Sequence, residues 1–246
     1  MELPMVVNGL EVEARYGDAE IKEIFLPLLR HLVELWEQKG SRVLVMLAAP
    51  PAAGKSTLAA VLEHLSQTLP TSCKFQSIGM DGFHRHQSYL DEHYMERNGE
   101  RVLMARYKGA PETFDLELLR AALESVASGD VCGWPAYDRT IHDPLDDAVC
   151  VDADIVLVEG NYLLLDEVGW RDLAELADYT ITIVADPEFL RDRLVDRKAT
   201  SGIDRSVAEA FVQDSDLYNA RTVLKRSQDA DLMLELGTDG TYRVLA

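Results

Sequence analysis

Cysteine is scarce in this chain of 246 residues, which holds three: Cys73, Cys132 and Cys150. The number is odd, the spacings are wide and no pair forms a CxxC, so neither a disulfide framework nor a zinc ribbon is expected. A chain of this length buries about 70–75% of its unfolded surface and needs neither for a stable core. The unpaired cysteines indicate a reduced, cytoplasmic protein.

Basic residues and long apolar runs are also few. The chain has 24 basic residues against 43 acidic ones, for a net charge of −19. Such a surface repels phosphate backbones and anionic lipid. The longest apolar stretch, Val43 to Ala53, is too short to span a bilayer, and the first 17 residues are acidic where a signal peptide is basic. We therefore expect a small-molecule substrate and no nucleic-acid or membrane partner, and we allow for a homodimer.

The apolar pattern alternates between helical and strand-like segments. From Asp18 to Gln38 the apolar residues recur at helical spacing, which predicts an N-terminal helix over 18–39. Short Val-, Leu- and Ile-rich runs predict strands near 42–47, 74–80, 155–158, 179–185 and 231–236, with a helix from 55 to about 69. This order is typical of an α/β fold, doubly wound around a mainly parallel sheet with helices on both faces. We expect a single domain over 1–246.

The stretch 87–149 differs from the rest of the chain. It is rich in charge, His and Tyr, and we predict an irregular insertion, interrupted by one helix near 116–128, that lines a substrate site.

A phosphate-binding motif follows the first predicted strand. Residues 49–56, Ala-Pro-Pro-Ala-Ala-Gly-Lys-Ser, match the P-loop pattern, with Ala49 in place of the usual first glycine. Gly54 lets backbone N–H groups approach phosphates, Lys55 contacts the β- and γ-phosphates, and Ser56 offers its hydroxyl to Mg²⁺. A chance Gly-Lys-Ser is the alternative, but the motif stands between a strand and a helix, as a P-loop requires. The predicted nucleotide site comprises Ala49, Ala52, Ala53, Gly54, Lys55, Ser56 and Thr57.

Two other P-loop classes lack their signatures here. The chain has no Asn-Lys-x-Asp, which GTPases use to read the base, and no Leu-Ser-Gly-Gly, which transporter-type ATPases carry. The Asp-x-x-Gly at 166–169 stands alone and is common by chance. A small-molecule kinase remains the leading class.

An acidic residue follows each of two further predicted strands. Asp81 follows the strand at 74–80, and Glu159 follows the strand at 155–158. Open parallel sheets bind ligands at the carboxyl ends of their strands. Phosphoryl transfer to a hydroxyl needs a carboxylate for the alcohol proton and a group that holds the metal. The alternatives are a turn former before Gly82 and a strand-end cap.

Four short motifs stand in an ordered set: Met80-Asp81-Gly82-Phe83-His84, Gly109 to Asp115, Pro135 to Asp138 with His142, and Val158-Glu159-Gly160. In this order they resemble the phosphoribulokinase/uridine kinase/pantothenate kinase family. The resemblance runs from about Val43 to Val223, and it extends to a bacterial sugar kinase-like branch often labelled fructose-transport-type. It implies a P-loop NTP hydrolase fold with a small lid and substrate insertion.

The resemblance also implies roles for individual residues. Asp81 would be the catalytic base and also a metal-binding residue, with Ser56 and Glu159 the other residues that hold Mg²⁺. Phe83, His84, Tyr137, Asp138 and His142 would face the acceptor, and Asn219 would lie near the nucleotide base.

Arg193 and Arg197 lie four residues apart, on one face of a predicted helix in the lid region 187–205. They resemble the lid arginines of the family, which would stabilise charge during transfer. Pairing with nearby acids, such as Arg193 with Asp196, is the alternative.

The predicted reaction is transfer of the γ-phosphoryl group of ATP, with Mg²⁺, to a hydroxyl of a sugar or polyol-like metabolite. A uridine-type nucleoside kinase and a pantothenate kinase are alternatives. From another class, the alternative is a nucleotide-binding regulator or an ATPase without an acceptor.

Overall fold

The computed structural model describes residues 1–7, 9–200 and 202–245. At the N-terminus, β1 (Glu2–Val7) pairs antiparallel with β2 (Leu10–Arg15). Helical residues follow, as α1 (Asp18–Glu20), a π-helical stretch (Ile21–Phe25) and α2 (Leu26–Lys39). The helix predicted over 18–39 is therefore confirmed, but the hairpin β1–β2 was not predicted. Its sequence signal is the Asn-Gly pair at 8–9, which favours a tight hairpin turn.

The described residues form a central sheet of six strands, which are β3 (Val43–Ala48), β4 (Phe75–Gly79), β9 (Ile155–Gly160), β10 (Tyr179–Ala185), β11 (Leu232–Leu236) and β12 (Tyr242–Leu245). Their spatial order is β12-β11-β10-β3-β9-β4. Neighbouring strands are parallel except β12, which is antiparallel to β11. The chain therefore has the predicted α/β architecture with a mainly parallel sheet.

The alternation of side chains along β3 divides the core between the two faces of the sheet. Val43, Val45 and Leu47 pack towards α2 and α3 (Lys55–Ser66). Leu44 and Met46 pack on the opposite face, where the chain places α5 (Leu116–Ser128) and α8 (Leu217–Arg226). All six residues of β3 are buried, as expected for a central strand covered on both faces.

The register of the parallel strands brings three chain segments to one edge of the sheet. Glu159 in β9 stands opposite Leu47 of β3 on one side and Gly79 of β4 on the other. The residues that follow β3 and β4 therefore emerge beside Glu159. This edge is where an open parallel sheet binds its ligands.

The region 87–149 is more regular than predicted. After α4 (Gln87–Glu92), β5 (Tyr94–Arg97) and β6 (Glu100–Leu103) form an antiparallel hairpin. After α5, β7 (Cys132–Asp138) and β8 (Asp143–Val151) form a second one. The helix predicted near 116–128 is confirmed as α5, but the prediction that the rest of this region is irregular was wrong. These two-stranded sheets keep many side chains in solvent, so their sequence lacks the apolar runs that mark a central strand.

Among the described residues that follow β10, the α-helices are α6 (Pro187–Thr200), α7 (Arg205–Phe211) and α8. The Asp186 carboxylate caps α6 by accepting from the backbone N–H groups of Glu188 and Phe189, at 2.8 and 3.1 Å. Ser201, within the predicted lid region, lies outside the described residues. None of the helices in the described ranges is long and apolar enough to cross a bilayer.

A buried tryptophan fastens the hairpin β7–β8 to the ligand-binding edge. The indole Nε1–H of Trp134 donates to the carbonyl of Gly79 at 2.8 Å, and its ring packs edge-on against Phe83 with centroids 4.7 Å apart. Trp134 is 1% exposed. The indole therefore holds the segment that precedes Asp81.

We expect Trp134→Phe to destabilise the fold by about 1–3 kcal/mol, because it leaves the carbonyl of Gly79 without its donor. Chemical denaturation measures the change. The matched control is Trp36→Phe on α2, where the tryptophan is partly exposed. Equal losses in the two variants would contradict an anchoring role for the Trp134 indole.

Candidate functional site

The loop between β3 and α3 forms one wall of a cleft of about 360 Å³, here called the P-loop cleft. The loop turns through the left-handed region at Ala52, with φ 65°, and at Gly54, with φ 85°. That conformation costs a non-glycine residue about 1–2 kcal/mol, so Ala52 must be held in place. The cleft is lined by Val7, Val12, Ala52, Gly54, Lys55, Ser56, Thr57, Arg139, Arg193, Asp196 and Arg197.

Two of the residues predicted to bind nucleotide do not line this cleft. Ala49 and Ala53 are fully buried. The N–H of Ala49 donates to Gly160 O at 3.2 Å, and that of Ala53 donates to Pro50 O at 3.2 Å. The backbone N–H groups of Ala49 and Ala53 are thus bound to carbonyls of the protein, and these two residues support the loop.

Ser56, Lys55 and Glu159 meet at the base of the cleft. The Ser56 hydroxyl donates to Glu159 Oε1 at 2.6 Å, and Lys55 Nζ lies 3.9 Å from Glu159 Oε2. Glu159 is 5% exposed. A hydroxyl and a carboxylate that converge beside a phosphate loop are the oxygen donors that Mg²⁺ takes when it also binds substrate phosphates. Among the described residues no cluster of three acidic, His or Cys side chains could hold a metal alone.

A second cleft, of about 280 Å³, opens beside the first and is here called the Asp81 cleft. Asp81 enters it from the 3₁₀ turn Met80–Phe83 at the end of β4, together with Gly82. Tyr137 lines it from β7. Arg139 lines both clefts, and its guanidinium lies 3.9 Å from the Asp81 carboxylate.

The charges around Asp81 favour its ionised form. Burial alone would raise the pKa of Asp81, but His84 and the cations Lys55, Arg139 and Arg197 outweigh that effect and lower it. Asp81 is therefore a carboxylate at neutral pH and is able to accept a proton. Since its pKa lies below the ordinary value of 3.8, its contribution to folding stability is lost only as the pH falls through the lowered value.

His84 is the titratable side chain next to this carboxylate. Burial lowers the pKa of His84 below its ordinary value of 6.5, although Asp81 partly opposes the shift. Its Nδ1 lies 2.8 Å from the backbone oxygen of Asp81. The ring packs against Phe114, with centroids 4.0 Å apart, and against Tyr137, at 5.2 Å. These contacts hold the imidazole next to Asp81.

Arg193 and Arg197 both reach the P-loop cleft from α6. Arg193 Nε donates to the carbonyl of Ala52 at 2.9 Å. Burial lowers the pKa of Arg197, and the Asp216 carboxylate opposes that shift. The alternative, a pairing of Arg193 with Asp196, is not formed, because Asp196 binds Arg205 at 3.0 Å. Both guanidiniums thus face the space beside Lys55.

Besides Ala49, Ala53 and His84, four residues that were predicted to contact substrate or nucleotide line neither cleft. Phe83 is 1% exposed and packs on Trp134, so it belongs to the core. The Asp138 carboxylate accepts from the N–H and hydroxyl of Thr140 and caps the β7–β8 turn. His142 is exposed, and its backbone oxygen accepts from Lys108 Nζ at 2.6 Å.

Asn219 is the fourth. It is 3% exposed, and its amide donates to the carbonyl of Gly109 at 3.2 Å. Asn219 is therefore buried beneath the segment that begins at Gly109 and does not line the P-loop cleft.

Four residues in or beside the clefts were not predicted from the sequence. Arg139 follows the Pro-Ala-Tyr-Asp motif, but its charge was not singled out. Val7 and Val12 come from the unpredicted hairpin β1–β2. Tyr242, on β12, donates its hydroxyl to the carbonyl of Ala53 at 2.8 Å. For Arg139 the usable signal was a basic residue in an acidic chain beside that motif; the other three depend on tertiary contacts.

A parallel sheet with a P-loop after its central strand, a serine–glutamate pair at the loop and a carboxylate in the adjoining cleft define a P-loop kinase. The model of the phosphoribulokinase/uridine kinase family matches residues 44–237. The chain belongs to that family, and it is a phosphotransferase that uses ATP.

Related proteins agree with this assignment. The chain is 43% identical to the protein YggC of Escherichia coli (strain K12) over 98% of each chain. It is 32% identical to the "Putative uridine kinase C227.14" of Schizosaccharomyces pombe, with 85% of this chain and 88% of that one covered. A crystal structure of a "putative fructose transport system kinase" from Silicibacter sp. TM1040 superposes with a TM-score of 0.74 at 32% identity, covering 85% of this chain and 98% of that one.

Glycine is required at position 54 for two physical reasons. Its φ of 85° disfavours any side chain, and a Cβ there would lie 2.8 Å from the Tyr242 hydroxyl. We expect Gly54→Ala to weaken binding of Mg·ADP more than tenfold, as measured by titration calorimetry. The matched control is Gly129→Ala, with φ 89° and open space around a Cβ, which bears the same backbone strain far from the cleft. A comparable loss of nucleotide affinity in both variants would contradict the local explanation.

Proposed function

We propose that this protein transfers the γ-phosphoryl group of ATP, with Mg²⁺, to a hydroxyl of a sugar or polyol-like metabolite. The observation that carries the proposal is the junction of the two clefts. Lys55 and Ser56 line the P-loop cleft, Asp81 lines the adjoining cleft, and Arg139 lines both. A phosphoryl donor and a hydroxyl acceptor bound in the two clefts would meet at that junction.

The phosphates of ATP would lie against the N-terminus of α3. The free N–H groups of the first helical turn and the helix dipole favour an anion at that position. Lys55, Arg193 and Arg197 surround it with positive charge. These three cations would stabilise the charge that develops on the phosphoryl oxygens during transfer.

The oxygen donors at the base of the cleft suit a Mg²⁺ ion. The Ser56 hydroxyl would be a direct ligand, and the Glu159 carboxylate, 2.6 Å from it, would hold the ion directly or through water. Asp81 is a further candidate ligand from the adjoining cleft. When bound, Mg²⁺ would neutralise phosphate charge and align the β- and γ-phosphates.

Asp81 would act as the general base. Its carboxylate accepts the proton of the acceptor hydroxyl as that oxygen bonds to the γ-phosphorus, while the bond between the γ-phosphorus and the β–γ bridging oxygen breaks and ADP leaves. The lowered pKa of Asp81 keeps it unprotonated before the reaction. Arg139, 3.9 Å away, would orient this carboxylate and shield it from the incoming phosphates.

The Asp81 cleft favours a small polar acceptor over a nucleoside. A nucleobase binds by stacking on a free aromatic face. Trp134 packs against Phe83, and His84 packs between Phe114 and Tyr137, so these rings are already in contact with one another. The "putative fructose transport system kinase" among the related structures supports a sugar, while the name of the Schizosaccharomyces pombe relative keeps a nucleoside as the second candidate.

We expect Asp81→Asn to retain Mg·ATP binding and to lower kcat by a factor of about 10²–10⁴, because the amide cannot accept the proton. Calorimetry measures binding, and a coupled assay of ADP release measures turnover. The matched control is Asp146→Asn, an exposed acid on β8, which should leave both values unchanged. A near-normal kcat in Asp81→Asn would contradict the assignment of the base.

Lys55→Ala should differ from Asp81→Asn, because it should weaken nucleotide binding as well as turnover. Its ammonium would bind phosphate in the ground state and in the transition state, so we expect both a weaker affinity for Mg·ATP and a lower kcat. Loss of turnover with unchanged affinity would contradict a phosphate-binding role for Lys55.

An ADP-release screen against sugars, polyols, nucleosides and pantothenate tests the acceptor. We expect at least one sugar or polyol to raise ADP release above the rate with water alone. Stimulation by a nucleoside or by pantothenate alone would overturn the proposed acceptor class but not the kinase. Release that no acceptor stimulates would favour an ATPase or a regulator.

A further inference from the structure

The last strand of the chain touches the phosphate loop. Tyr242 begins β12, beyond the residues that the family model matches. Its hydroxyl donates to the carbonyl of Ala53 at 2.8 Å. Among the described residues, the side chains that donate to carbonyls of the loop are those of Tyr242 and, one residue earlier at Ala52, Arg193.

Tyr242 is itself fixed by the N-terminal part of the chain. Its backbone N–H donates to Glu20 Oε1 at 2.8 Å, and Glu20 Oε2 accepts from the N–H of Gly17, also at 2.8 Å. The ring stacks on Tyr16, with centroids 6.1 Å apart, and meets Phe25 edge-on at 6.3 Å. Tyr242 is 5% exposed. Elements on both sides of the family region thus hold this phenol against the loop.

The hydrogen bond from Tyr242 to the carbonyl of Ala53 sets the direction of the next backbone N–H, which is that of Gly54. The peptide between Ala53 and Gly54 is trans, so its N–H points away from its C=O. The carbonyl of Ala53 binds Tyr242, which does not line the P-loop cleft, whereas Gly54 does line it. Holding the carbonyl therefore directs the N–H of Gly54 towards the cleft.

Tyr242 remains a donor across the working pH range. Burial raises the pKa of Tyr242 well above its ordinary value of 10.0, with Tyr16 adding to the shift. The hydroxyl therefore keeps its proton.

We infer that Tyr242 is a positioning residue of the nucleotide site, which pre-orients the N–H of Gly54 to bind a phosphate oxygen of ATP. The inference rests on the proposed function, because it requires nucleotide phosphates in the P-loop cleft. Pre-orientation lowers the cost of ordering the loop when the nucleotide binds. The effect belongs to phosphate affinity rather than to the proton transfer at Asp81.

The test compares Tyr242→Phe with the wild type in binding Mg·ADP by calorimetry. The variant loses the hydroxyl and keeps the ring, and we expect the dissociation constant to rise about three- to tenfold. Hydrogen exchange supplies a second readout: Mg·ADP should protect the Gly54 amide in the wild type and protect it less in the variant. The matched control is Tyr16→Phe, in the same aromatic cluster, which should bind Mg·ADP as the wild type does.

The outcomes separate this inference from the proposed function. Equal affinity for Mg·ADP in the wild type and Tyr242→Phe, with a lower melting temperature for the variant, would show a structural role alone and overturn the inference. If Tyr242→Phe does not fold, absence of protection at the Gly54 amide in the wild type overturns it as well. A folded wild type that does not bind Mg·ADP would overturn the proposed function, and the inference with it.

Discussion

The turn after β3 is the constraint on which the site depends. The chain leaves a fully buried strand, passes Ala52 and Gly54 in the left-handed region, and starts α3 with N–H groups free for a ligand. Besides the bond within the loop from the Ala53 N–H to Pro50 O, two adjacent carbonyls are bound from outside it, by Arg193 of α6 and Tyr242 of β12. Both α6 and β12 reach the loop because of the strand order: α6 follows β10, β12 pairs with β11, and β10 and β11 lie on the same side of β3.

The distribution of charge gives the acidic chain a defined place for phosphate. Against a net charge of −19, the P-loop cleft gathers Lys55, Arg139, Arg193 and Arg197. Two acids offset part of this charge, since Glu159 lies 3.9 Å from Lys55 and Asp81 lies 3.9 Å from Arg139, whereas Asp196 pairs with Arg205. Negative charge over the rest of the surface disfavours phosphate there, so an anionic ligand would be guided to this cleft.

Most strands of the central sheet, the phosphate loop and the two strand-end carboxylates could be predicted from the sequence. Apolar runs such as the one at 43–48 predict central strands because both of their faces are buried, and the Gly-Lys-Ser at 54–56 predicts the loop because a strand precedes it and a helix follows. Asp81 and Glu159 were found through their places at strand ends. The hairpins β5–β6 and β7–β8 were not predicted, since exposed two-stranded sheets carry weak patterns. Phe83 and Asp138 were assigned to the acceptor because motif position does not reveal which way a side chain points.

By itself, the sequence determined the α/β class, the phosphate loop and the two strand-end carboxylates, because these depend on local periodicity and on short motifs. The tertiary structure alone decided that Arg139 faces Asp81, that the hairpin β1–β2 borders the P-loop cleft and that Tyr242 holds Ala53. Tyr242 lies 189 residues from Ala53 along the chain, and Arg139 lies 58 from Asp81. Contacts across such separations are set by strand order and packing, on which a single sequence carries no local signal.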